Sequence, residues 1–332
     1  MPTDAEPPPP AQPNLIDRTA DRVDGLQRRF AVTAVAHGVL KKYGEDRGGQ
    51  LAMLLAYRGF FSLFPLLLAF VNILGLLLAG NAELQEKLVH SALASVPVVG
   101  PQIEKSADAL SGNAVVVVLA ILLSLWAGLG LLEMLQEALN TVWGVPLYRR
   151  PPWIIRKLRS LPGAILIGAC LLLSGAGSWA FSDRDLPVLS RLAGWALPFL
   201  AGALCYLGLH WLLCARKVPF TAQLPGGAFV GVAWLLLQLL GAWYINRFIL
   251  KSSDTYGVFA VVFGLLSWSY LLGLLYLYGN ELSSVLYDHR WPRSLTGRNL
   301  TDVDQRAQAE LMRREVRVEG TEVEVEVPRL PR

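Results

Sequence analysis

The chain has 332 residues, of which 53% are hydrophobic and only 17% charged, at a mean hydropathy of +0.41. That balance lies outside the usual composition of soluble globular domains. A net charge of +4, spread along the chain, argues against a nucleic-acid-binding face, and four scattered histidines with three cysteines in no CxxC spacing argue against a metal site.

Six stretches carry no Asp, Glu, Lys or Arg: residues 59–82, 109–132, 160–182, 192–215, 218–246 and 255–280. About 20 apolar residues rising ~1.5 Å each cross a hydrocarbon layer of ~30 Å, and a charge at its centre costs about 2.5–3.5 kcal/mol. The expected fold is an all-α integral membrane protein of six transmembrane helices, at about 52–79, 113–136, 161–182, 192–214, 224–247 and 256–283.

In chain order, residues 1–27 are proline-rich and charged, which predicts a disordered tail. The start MPTDAEPPPP lacks the basic and apolar regions of a signal peptide, so insertion is expected to begin with the first span. The membrane domain, 28–288, opens with Val32, Val35, Ala36, Val39, Leu40 and Tyr43 at helical spacing, flanked by Arg28, Arg29, Lys41 and Lys42. This pattern predicts an N-terminal helix lying in the membrane interface. Between the first two spans, Leu84, Leu88, Ala92, Leu93 and Val96 recur at helical spacing until Pro97 and Pro101, which predicts an amphipathic helical outer loop.

Gly227 with Gly231, and Gly168, Gly175 and Gly177, read as close contacts between helices, and Cys170, Cys205 and Cys214 as small buried residues. The charged tail, 289–332, is expected to be largely disordered, with Val323, Val325 and Val327 alternating with glutamates that leave it free to add a strand to a partner. Of the 30 Lys and Arg residues, 23 fall on the alternate segments that include both termini, 6 on the others, and the last is Arg58 within the first span. The positive-inside rule then puts both termini on the cytoplasmic side of the membrane.

The polar groups inside the spans are the candidate site. Arg58 lies within the first span, Glu133, Gln136, Glu137 and Asn140 share a face at the end of the second, and Asn280 and Glu281 end the sixth. Antiparallel spans bring these to one depth, so Arg58, Glu133, Glu137, Asn140 and Glu281 form the expected intramembrane cluster. Tyr57, Ser62, Pro65, Gln136, His210 and Asn280 are the expected lining, with Pro65 kinking or breaking its helix. Three readings stand together: Arg58 snorkels to the surface while the glutamates mark helix ends, an ion pair fixes helix register, or the group binds a substrate or proton.

No GxSxG, HExxH, Walker loop or Cys/His metal spacing occurs, so no enzyme, cofactor or metal is expected. The segment AYRGFFSLFPLLLAF, together with LSLWAGLGLLEMLQEALNTVWGV, TYGVFAVVFGLLSWSYLLGLLYLYGNEL, WPRSL and LTDVDQRA, resembles the YihY/BrkB family of bacterial inner-membrane proteins over residues 28–310. Asn280 departs from that pattern, which commonly has a small residue before the glutamate. The resemblance implies a six-span membrane protein without an established activity, some of whose members are similar to a serum-resistance virulence factor and some labelled ribonuclease.

The leading expectation is a transport-class protein that moves a lipid or small solute through a polar cavity open to the cytoplasm. Membrane lipids are its expected partners, with a lipid or small-molecule substrate and a homo-oligomer, and no nucleic acid. The alternative is an envelope scaffold acting through its tails, and a membrane ribonuclease is the weaker third reading.

Overall fold

The computed structural model describes residues 24–25, 29–77, 118–119, 122–123, 126–182, 188–244, 258–295 and 300–324. The outer loop, residues 80–112, and part of the second span lie outside the described residues. Among the described residues the regular structure is helical throughout: α1 (Ala31–Glu45), α2 (Gly48–Leu77), α3 (Gly130–Val142), α4 (Trp153–Ser182), α5 (Val188–Leu213), α6 (Phe220–Tyr244), α7 (Val258–Tyr287) and α8 (Asp302–Arg314). A short 3-10 turn, Leu147–Arg149, links α3 to α4.

Among the described residues four helices are long and apolar enough to cross a membrane, over Trp153–Ser174, Gly194–Leu213, Phe220–Gln238 and Val262–Tyr287. Only 17% to 39% of each of these windows is buried inside the protein. Side chains such as Ile165 and Trp211 stand 74% and 79% exposed. Such apolar walls are stable against lipid and costly against water. At 30 residues α2 is as long as α7, and it runs on as one helix through Pro65.

The helices form a chain of neighbours in which α4 packs on α5, α5 on α6, α6 on α7 and α7 on α2, with α1 against α7 and α3 against α2. The seams depend on missing side chains. A Cβ on Gly226 would stand 2.2 Å from the Gly279 carbonyl oxygen, and one on Gly231 would stand 2.8 Å from that of Phe199. Gly227 meets Leu207 on α5, so the Gly227/Gly231 pair does pack α6 on α5. Gly168 differs from expectation, since nothing lies within 4 Å of the place its Cβ would take.

Helix α1 packs by a face that only partly overlaps the one its hydrophobic periodicity marks. Ala34, Gly38, Val39 and Lys42 are buried, while Val32 and Leu40 are exposed. Small residues at i and i+4, Ala34 and Gly38, let the backbone close on the end of α7 and the turn after it, where a Cβ at Gly38 would lie 3.3 Å from Val285 Cγ1 and 3.0 Å from the Arg290 carbonyl. Val32 and Leu40 point away from the bundle, while Val39 is buried and Tyr43 stacks on Tyr278 of α7.

The tail also departs from the expected disorder. Thr301 caps α8 by accepting from the Asp304 amide, and the Asp304 carboxylate accepts in return from the Thr301 amide, a reciprocal capping box. The helix is polar overall and buries only Asp304 and Ala307, so charge rather than apolar area docks it. Residues 321–324 carry no regular structure, and 325–332 lie outside the described residues.

Candidate functional site

The last turns of α7 bury Asn280, Glu281, Ser283 and Ser284 completely. Glu281 Oε2 lies 2.7 Å from Lys42 Nζ, which also reaches Asp46 Oδ2 at 2.5 Å and the Val142 carbonyl at 2.7 Å. Those contacts commit all three N–H groups of the ammonium. Lys42 and Asp46 are a helical i, i+4 pair at the end of α1, and both side chains are at most 3% exposed. Val142 ends α3, where helix carbonyls lack intrahelical donors and the dipole favours a cation. Two elements distant in sequence are thus joined to the end of a third.

Arg314 of α8 completes the group, with Nη1 2.6 Å from Asp46 Oδ1 and 3.3 Å from the Thr141 carbonyl. With Arg314 the two cations balance two carboxylates; without it the buried group carries one excess negative charge. Burial opposes ionisation of Asp46, but Lys42 and Arg314 outweigh it and hold the carboxyl below the usual carboxylate range. Glu281 Oε1 is buried without a hydrogen-bond partner among the described residues.

Beside this group, Asn280 Oδ1 accepts from Trp143 Nε1 at 3.1 Å and pairs with His210 Nδ1 at 3.3 Å. The pairing makes Nδ1 the protonated nitrogen of His210 and leaves Nε2 buried without a partner among the described residues. A second ionic group anchors the tail. Asp304 accepts from Lys41 at 2.8 Å, Arg293 at 2.6 Å, the Ser294 and Thr301 amides at 3.0 Å each, and the Thr301 hydroxyl at 2.8 Å. Burial again opposes ionisation, and these donors outweigh it, so the Asp304 carboxyl sits well below its usual range.

The expected intramembrane cluster is dispersed. Glu133 pairs with Lys157 at 2.7 Å, and Glu137 with Arg150 and, at 3.6 Å, Arg156, so the basic segment that leads into and opens α4 takes both. Asn140 Oδ1 accepts from the Ala215 amide at 2.9 Å, and Gln136 donates to the Arg156 carbonyl and the Ser160 hydroxyl. Arg58 is exposed on α2 with Nη1 3.3 Å from where a Gly130 Cβ would stand, and no carboxylate partners it among the described residues. Tyr57 is 57% exposed, Ser62 is buried, and the side chain of Pro65 lies outside the described residues.

Sequence reasoning found Glu281, Asn280 and His210 but missed Lys42, Asp46, Arg293, Asp304 and Arg314. Two signals were present: the i, i+4 spacing of Lys42 and Asp46, and the Thr301-x-x-Asp304 capping spacing.

Comparison with known proteins places the chain among membrane proteins. It is similar to a UPF0761 membrane protein of Vibrio vulnificus (strain YJ016), 27% identical over 80% of this chain and 87% of the relative. A UPF0761 membrane protein of Alkalilimnicola ehrlichii is 27% identical over 75% of this chain and 57% of its own length. A ribonuclease-like protein, YfkH, of Bacillus subtilis (strain 168) is 23% identical over 76% of this chain and 94% of its own. No solved structure matches. Residues 39–303 match the family described as "Virulence factor BrkB", which takes in α2–α7 and most of the ionic group beneath them, and the chain belongs to that family.

Proposed function

We propose that this is a transport-class protein of the bacterial plasma membrane, with six spans and both termini cytoplasmic, which moves a lipid or small solute and performs no enzymatic reaction. The observation that carries the reading is the Lys42–Asp46–Glu281 group: an ammonium with every donor committed, 1% exposed, against a glutamate with no exposure, at the end of a membrane-length helix. Ionisable groups at such positions are costly, and they recur where a protein moves ions or polar solutes. Charge balance in the group depends on Arg314, so movement of α8 alters the affinity of the buried carboxylates for a proton or cation. Surrounding lipids are the first partners of such a protein.

The test is reconstitution of the full chain into vesicles, following transbilayer movement of a fluorescent phospholipid and, separately, release of an entrapped small solute. Wild type is expected to accelerate one of the two above protein-free vesicles, and Glu281→Gln to slow it by an order of magnitude or more at equal incorporation. Equal rates in the two proteins, or no acceleration of either probe, would overturn the reading. Incubating the same sample with labelled RNA checks the ribonuclease alternative, for which no cleavage is expected.

A further inference from the structure

A cavity of about 250 Å³ opens beside the buried ionic group, between α8 and the turns that follow α3, α5 and α7. Its charged lining is Arg216, Arg290, Arg313 and Arg314 against Asp46, Asp288 and Glu310, one positive charge in excess. The carboxylates are shared thinly. Asp288 serves two guanidiniums, taking Arg216 at 2.8 and 3.1 Å and Arg290 at 3.1 Å. Asp46 is divided between Lys42 and Arg314. Glu310 closes on Arg290 at 2.6 Å from a side chain that is 47% exposed.

Donor capacity is left over. Arg313 has no carboxylate partner among the described residues, and Arg290 Nε is buried with no acceptor. The wall is bare at Gly144, whose φ of +64° suits glycine and whose absent Cβ would stand 3.8 Å from Arg290 Nη2. Planar guanidiniums converging on a small open space, with spare N–H groups, match the oxygens of a phosphate group in geometry and charge.

From this geometry we infer that the cavity binds a phosphate-bearing anion, either a soluble phosphate ester or the headgroup of an anionic lipid, and that Glu310 occupies the anion's place when it is absent. Because α8 contributes Glu310, Arg313 and Arg314, an anion held there bridges the tail helix to the bundle. The inference rests on the cavity alone and does not require that anything be transported.

Full-length protein in nanodiscs of phosphatidylcholine would be titrated with inorganic phosphate and with glycerol phosphate by calorimetry, and the titration repeated in nanodiscs containing phosphatidic acid. Saturable binding is expected. Arg313→Gln, which removes an exposed and unpaired side chain, should weaken it about tenfold, one charge-assisted contact. Glu310→Gln should instead tighten it severalfold by removing the competitor, a gain that a purely structural ion-pair network would not produce. Loss of soluble-ester binding in phosphatidic acid discs assigns the lipid headgroup as the occupant, and its retention assigns the soluble ester. Absence of saturable binding to wild type, or equal affinity in wild type, Arg313→Gln and Glu310→Gln, would overturn the inference. Binding is read without vesicle transport, so its failure is distinct from failure of the transport reading.

Discussion

Glu281 and Glu133 each hold a lysine at 2.7 Å, and the two pairs differ in almost everything else. The Lys42–Glu281 side chains are 1% and 0% exposed, the Lys157–Glu133 side chains 15% and 27%. Lys42 has two further buried acceptors, whereas Lys157 spends its remaining reach on the Trp126 ring and carbonyl. Distance alone therefore ranks the pairs as equals. Burial separates them, because removing one partner of a desolvated pair strands a charge, whereas water re-solvates the survivor of a partly exposed one.

The strongest way to break this comparison is Lys42→Met, which leaves Glu281 and Asp46 without their shared cation. It should cost about 3–5 kcal/mol, read as a lowered midpoint of thermal unfolding in detergent. Adding Glu281→Leu to that variant should recover a large part of the loss, since an apolar pair of similar volume needs no counter-charge. If the double variant is no better than the single, the pair is not the unit that burial stabilises.

Asp304→Asn should loosen the tail next, by about 1.5–3 kcal/mol, because charge-assisted bonds from Lys41 and Arg293 are lost. Its folded pKa is depressed, so its contribution is full above the ordinary carboxylate range and is lost as pH falls from that range to the depressed value. Protease cleavage of the tail in wild type should therefore stay slow across mild acid, while in Asp304→Asn it should be fast at every pH. A sharp rise of wild-type cleavage between neutral and mildly acid pH would contradict this assignment.

Packing beside Glu281 is tested by Gly226→Ala, whose Cβ would press on the Gly279 carbonyl, the Tyr206 hydroxyl and Ser283. Backbone on one side gives little room to yield, and about 1–3 kcal/mol of stability should be lost. The smallest effect belongs to Glu133→Gln, below about 1 kcal/mol for a partly exposed pair. A loss as large as that of Lys42→Met would erase the distinction between the two pairs.

The ends of α7 and α1 show how far the site could be read in advance. Asn280 and Glu281 stand out because they interrupt an apolar run. Arg58 stood out for the same reason, yet among the described residues it meets no carboxylate, and Glu281 is held instead by a lysine from outside the spans. Helix α1 was read by its large apolar residues, whereas close approach to α7 is set by the small ones, Ala34 and Gly38. Hydrophobic periodicity records which face avoids water. It does not record which face is thin enough to let a lysine reach into the bundle.

The sequence by itself determined that the chain is a helical membrane protein, since the length and apolarity of its uncharged stretches are properties of each segment taken alone. It also determined the family, through runs such as AYRGFFSLFPLLLAF. Only the tertiary structure decided which charges meet. Lys42 and Glu281 are separated by 239 positions and Asp46 and Arg314 by 268, and their attraction exists only once packing has excluded water between them.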